Sequence, residues 1–194
     1  MSPSPTTYSS TRRAALGLAA SAVVLLAGCA VTALPGQSLS VPANARFAVL
    51  PLNNATDVPR VERRAQAITV SLLQQKGLRD VVVYPHKPAD NPLQAESAVT
   101  SAQALAWAKQ QGARYALSGT VTEWRYKTGV DSEPAVGITL QVTDVPTGEV
   151  VWSASGGRSG WGYQALAAVG QSQIEALLRG IRVTAAAAKP VAKP

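Results

Sequence analysis

The sequence has only one cysteine and one histidine among its 194 residues. A single cysteine excludes an intramolecular disulfide framework and any metal cluster built from several cysteines. The lone histidine, His86, lies between Pro85 and Lys87 in a loop-like stretch, and no second histidine is present to complete a zinc site. We therefore expect neither a metal nor another cofactor.

Other catalytic patterns are also missing. No serine lies in a G-x-S-x-G elbow, and the glycines of Gly156–Gly162 lack the Lys-Ser/Thr pair that completes a phosphate loop. Asp131 and Glu133 are neighbours in one hairpin loop, whereas a glycosidase pair needs two acids that face each other across a cleft. We expect a binding or structural subunit rather than an enzyme.

The N-terminal residues have the pattern of an export signal. Arg12 and Arg13 precede an apolar run, residues 14–27, that is too short to span a bilayer as a permanent helix. This run ends in Leu26–Cys29, which matches the bacterial lipobox, so we expect Cys29 to be acylated and residues 1–28 to be removed. Ala30 follows the cysteine in place of an aspartate, which favours sorting to the outer membrane. The two arginines leave twin-arginine export open beside the general route.

Composition divides the rest of the chain into three parts. Residues 29–45 are rich in Pro, Gly and Ser and are predicted to be a lipidated tether. Residues 46–182 are predicted to form a single α/β domain, and residues 183–194, an Ala/Lys/Pro tail, to be disordered. The net charge of +7 falls to +5 without the two signal arginines, and no basic helix with interleaved aromatics is present, so nucleic acid is not an expected partner.

The apolar spacing within the domain predicts the order β-α-β-α-β-β-β-α. Alternation along 135–144 indicates a sheet with one covered and one wetter face. In the first helix Asp57 is the expected cap and Gly77 the expected end. We predict an α/β fold, a mixed β-sheet sandwiched by helices in which one main face is covered, rather than a doubly wound sheet. The strands are predicted at 46–52, 80–84, 115–128, 135–144 and 149–155, and the helices at 57–77, 101–111 and 164–179.

Several segments together resemble a known group of periplasmic lipoproteins. FAVLPLNN, GARYALSGTVTEW and TDVPTGEVVWSASG resemble the fold that includes the N-terminal domain of TolB, the curli secretion lipoprotein and activators of penicillin-binding proteins. Within this group, EWRYKTGVDSEPAVGITLQVTD and SASGGRSGWG resemble the PelC family, the outer-membrane lipoproteins of Pel exopolysaccharide export.

The resemblance implies a homo-oligomeric, twelvefold ring on the periplasmic leaflet of the outer membrane, beneath an export channel formed by a PelB-like porin and scaffold. One acidic face of such a ring attracts a cationic polysaccharide. Because a concave surface can steer a ligand even when the whole molecule has the opposite charge, local acids are the expected steering residues. Asp131 and Glu133 are the first candidates, and Asp57 and Glu62 are the second.

Trp161 is the expected membrane contact. Tryptophan favours membrane interfaces because it joins a large apolar body to one N–H donor, and Arg158 is expected to meet lipid phosphates or brace a neighbouring subunit. In the alternative, Trp161 folds back to cap the sheet. Trp124 is expected to be half exposed, on one strand face with Thr120 and Thr122.

Two other functions remain open beside the export ring. A lipoprotein activator of a peptidoglycan synthase has the same fold and needs no ring. A curli-type pore requires long amphipathic segments that become membrane strands, and the unassigned loop 85–99, with three prolines and little alternation, argues against it.

Overall fold

The computed structural model describes residues 31–35, 38–86, 99–129 and 132–186, with the backbone alone for 31–35. The predicted signal, Cys29 and the tail from residue 187 lie outside the described residues. The strands are β1 Val31–Pro35, β2 Leu39–Pro42, β3 Phe47–Asn54, β4 Val81–Val83, β5 Tyr115–Tyr126, β6 Pro134–Asp144, β7 Val150–Ser159 and β8 Ile181–Thr184. The helices are α1 Val61–Gln75, α2 Ser101–Gln110 and α3 Leu166–Leu178.

Six strands form a mixed sheet in the order β1-β7-β6-β5-β3-β4. β5, β6 and β7 are an antiparallel meander, β1 pairs antiparallel with β7, and both β4 and β5 run parallel to β3. The predicted fold class, a mixed sheet with helices packed on it, is confirmed, and the predicted order of elements recurs from β3 to α3.

Three strands lie where the sequence pattern predicted none. β1 and β2 fall in the stretch that we assigned to a tether, and β8 follows α3. β2 and β8 form a separate parallel pair in which Leu39 aligns with Ile181. All three strands have only four or five residues, and each pairs with a partner remote in the sequence, so local periodicity does not reveal them.

The main core lies between one face of the sheet and the helices α1 and α3. Phe47, Leu117, Ile138 and Leu140 project from the strands into a cluster that includes Leu177 of α3, and all five are fully or almost fully buried. This is the covered face that the alternation in β6 predicts, with Thr139 and Gln141 on the other side.

The second helix packs on the opposite face. Ala104 and Ala108 of α2 contact Ala48 and Ala116 of the sheet, and small side chains allow this close approach. α2 begins with a capping box formed by Thr100 and Gln103. Helices therefore lie on both faces, although only the α1/α3 face carries the large core.

The start of α1 differs from the prediction. Asp57 was expected to cap the helix, but the cap position is Arg60, which has a φ of 60° and makes no side-chain cap hydrogen bond. The cause is the preceding turn, where the Asn54 side chain accepts the Thr56 N–H at 2.9 Å and donates to the Val58 carbonyl at 2.8 Å. This turn leaves Asp57 exposed before the helix.

A β-bulge in β5 overturns the prediction for Trp124. The register with β6 shifts between Val121 and Glu123, so Thr122 is an extra residue in β5. The shift moves Trp124 from the polar face to the core, where only 2% of it is exposed. Its ring lies against Gly170 of α3: a Cβ there would be 2.7 Å from Trp124 Cζ2. The expected half-exposed tryptophan is therefore a core residue.

Candidate functional site

The glycine-rich run after Ser155 belongs largely to a strand. β7 continues to Ser159, beyond the predicted end, and Gly156, Gly157 and Arg158 pair with β6 on one side and β1 on the other. Glycine weakens an isolated strand, but hydrogen bonding from both neighbours holds this one. The chain leaves the sheet only at Gly160.

Trp161 lies in the turn that follows and is 68% exposed. The turn is braced from within, since Gln164 Oε1 accepts the Trp161 N–H at 3.1 Å and the Gln164 N–H donates to the Trp161 carbonyl at 2.9 Å. Tyr126 OH accepts the Leu166 N–H at 3.1 Å and so holds the start of α3. Trp161 does not fold back over the sheet, and a fully exposed Tyr163 lies two residues further on. Tyr163, a second projecting aromatic side chain, was not predicted from the sequence.

The two nearest basic side chains differ in exposure. Arg158 is partly buried on the helix-covered face, opposite Val136, and its Nε has no hydrogen-bond partner among the described residues. Lys127 is more exposed, and its Nζ donates to Ser159 Oγ at 2.7 Å beside the Trp161 turn. Lys127 was not singled out from the sequence, because only the pairing of β5, β6 and β7 brings it to this turn.

Three of the four acidic candidates lie in the described part of the chain, and they belong to different elements. Asp131 lies outside the described residues. The Glu133 carboxylate lies 3.9 Å from Lys127 Nζ at the far end of the β5–β6 pair. Glu62 is in the first turn of α1, partly buried, and its Oε2 has no partner in the described part of the chain. Asp57 is exposed in the turn before α1.

Asp57 lines an open groove of about 640 Å³ that we call the bulge groove. It lies where the β3–α1 turn passes the sheet beside the β5 bulge. Its lining residues are Ala55, Thr56, Asp57, Val58, Thr122, Glu123, Trp124, Arg125, Gly137, Ser155, Gly156 and Gly157. Only Asp57 among these residues was predicted as a site residue. The bulge and the strand pairing that bring the others together leave no local pattern in the sequence.

The described residues contain no group of three or more His, Cys, Asp or Glu side chains placed to hold a metal ion. None of the helices in the described ranges is long and apolar enough to cross a bilayer.

Comparison with known proteins first shows a similarity to activators of peptidoglycan synthases. Residues 64–156 match the family model described as peptidoglycan-synthase activator LpoB. No match is found among the curated proteins.

Solved structures then give the family. The PelC dodecamer from Paraburkholderia phytofirmans is similar at 36% identity and a TM-score of 0.68, over 79% of this chain and 99% of that one. A second crystal form of that dodecamer, with one methionine substitution, has the same identity and coverage and a TM-score of 0.69. The chain belongs to the PelC family.

Proposed function

We propose that this chain is an outer-membrane lipoprotein whose subunits form a periplasmic ring that guides a cationic exopolysaccharide to its outer-membrane export channel. The single observation that carries the proposal is the similarity to a PelC dodecamer at 36% identity over 79% of the chain. The match includes nearly the whole length of the relative, 99% of it, so the part of the chain that assembles in that protein has a counterpart here.

Lipid attachment at Cys29 is consistent with the position of β1, the first described strand. β1 starts at Val31, only two residues after Cys29 in the sequence, and an extended chain spans at most about 3.3–3.6 Å per residue. Val31 pairs with Arg158, three residues before Trp161. A lipid on Cys29 therefore holds this edge of the sheet near the bilayer.

The braced turn supports a membrane contact at the same edge. Trp161 and Tyr163 are both exposed, and aromatic side chains of this kind are enriched at the headgroup level. Lys127 is the more exposed basic side chain beside the turn, so we assign lipid phosphate contacts to Lys127 as well as to Arg158. Repetition of one modest contact around a ring multiplies its effect on membrane binding.

Charge steering requires carboxylates that remain free to act on the polymer. Asp57 is exposed and makes no hydrogen bond or ion pair within the described residues, which favours it over Glu133 beside Lys127. The steering role of Asp131 and Glu62 follows from the resemblance. A PelB-like porin and scaffold is the expected neighbour in the export system.

The family-model match to a peptidoglycan-synthase activator supports a second candidate. An activator binds one enzyme and needs no ring. The match covers residues 64–156, a smaller part of the chain than the PelC structures cover, and for this reason we favour the ring.

The mass of the assembly separates the two candidates. The full chain, purified in detergent micelles, is measured by light scattering with correction for bound detergent, over a wide concentration range. We expect one discrete species of about twelve subunits. A monomer at every concentration would contradict the ring and favour the synthase activator.

A further inference from the structure

Two paired glycines form the floor of the bulge groove. Gly137 of β6 pairs with Gly157 of β7 on one side and with Glu123 of β5 on the other. The extra residue Thr122 in β5 fixes the glycine at position 137, because a Cβ there would be 2.6 Å from Thr122 Oγ1. Gly137 is buried beneath Thr122, whereas Gly157 is partly exposed and presents bare backbone on which a flat ring can lie closely.

Hydroxyl groups line the floor. Ser155 lies two residues before Gly157 in β7 and shares a hydrogen bond of 2.9 Å with Thr139. Thr122 is exposed on the β5 side. Each hydroxyl offers both a donor and acceptor lone pairs. A few polar groups placed in this way fix the orientation of a small ligand.

The groove contains two carboxylates, and only one of them has a basic partner among the described residues. Glu123 forms an ion pair of 3.2 Å with Arg125, so this pair adds no net charge. Asp57 has no such partner in the described ranges, and the Asn54 side chain fixes the turn that carries it. The turn therefore presents one uncompensated carboxylate at the rim. Because the turn is already ordered, it loses little conformational entropy when a cation binds.

We propose that the bulge groove binds one amino-sugar unit. The ring lies on the exposed backbone of Gly157 beside Thr122, the protonated amine faces Asp57, and ring hydroxyls bond to Thr122 and Ser155. A volume of about 640 Å³ is within the usual range for small-ligand sites, about 300–1,000 Å³. This inference rests on the proposed function and deepens it, because long-range attraction by an acidic ring needs no site for individual sugars.

The test uses isothermal titration of the full chain in detergent micelles with two probes: a fully deacetylated glucosamine tetramer and its fully N-acetylated counterpart. We expect the deacetylated tetramer to bind more tightly. Asp57→Asn lowers that affinity about two- to fivefold, the effect of one exposed ion pair, and leaves the weaker binding of the N-acetylated tetramer unchanged.

A second variant tests the floor. Gly157→Val adds side-chain volume to the groove, and its Cβ would meet nothing closer than the Val136 carbonyl at 3.4 Å. We expect it to weaken binding of both tetramers. Glu149→Gln is the matched control: it also removes one carboxylate, from an exposed residue that does not line the groove, and we expect it to leave both affinities unchanged.

Three outcomes would overturn the inference. These are no binding of either tetramer, an equal loss in Asp57→Asn and Glu149→Gln, or full affinity in a folded Gly157→Val variant, as judged by circular dichroism. Each of these would leave the ring itself untouched, since the assembly mass tests it separately.

Discussion

Replacement of Trp161 by alanine should weaken membrane binding by an amount that the structure sets. A tryptophan side chain can bury up to about 250 Å² of surface. At 68% exposure, about 170 Å² of the Trp161 surface is available for transfer from water into the membrane. At about 25 cal/mol per Å², transfer of half of that area contributes about 2 kcal/mol per subunit. This corresponds to a change of about 30-fold in the binding constant of one subunit.

Vesicle flotation measures this effect on the chain from Val31 onward, which lacks the lipidation site, so that acyl chains do not mask the turn. Val150→Ala is the matched control, because Val150 is 55% exposed at the opposite end of the same strand. We expect Trp161→Ala to lose binding and Val150→Ala to retain it. An equal effect of both substitutions, or none of either, would refute the assignment of the Trp161 turn to the membrane.

Two further substitutions and one insertion test the packing of Trp124, the bracing of the Trp161 turn and the length of the lipid anchor. Gly170→Ala should lower the free energy of unfolding by up to about 2 kcal/mol, because the clash with the buried Trp124 ring costs about 1–3 kcal/mol and the gain in helix propensity is only about 1 kcal/mol; an unchanged midpoint of denaturant unfolding would contradict this contact. Gln164→Ala should free the Trp161 turn and reduce vesicle binding with little change in stability, and undiminished binding would show that the bracing is irrelevant. A ten-residue Gly/Ser insertion directly after Cys29 should reduce seating of the lipidated chain against the membrane, detected as faster proteolysis next to the Trp161 turn; unchanged proteolysis would contradict a short anchor.

Local periodicity predicted the elements that carry their own pattern. The alternation of β6 and the helical spacing of α1 and α3 arise from burial on one face, so the sequence displays them directly. Gly77 was predicted to end the first helix, and it has a positive φ angle of 104° directly after the end of α1. The mixed sheet followed from these elements.

Features that depend on remote partners were not predictable in this way. β1 is a strand because β7 offers it an edge, and β7 reaches Ser159 because β1 and β6 both bond to it. One extra residue in β5 reverses which side chains face the core, so the alternation that assigned Trp124 to the polar face failed after Val121. The bulge groove depends on the same shift, and no single segment of the sequence encodes it.

The role of the chain in export is tested by polysaccharide secretion in a strain whose gene for this chain has been deleted. We measure the cationic polysaccharide outside the cell and inside the periplasm, with and without the chain restored from a plasmid. We expect deletion to stop secretion and the restored chain to recover it, whereas a Cys29→Ala chain does not. Normal secretion in the deleted strain, together with a lower rate of peptidoglycan synthesis, would contradict the export ring and identify a synthase activator instead.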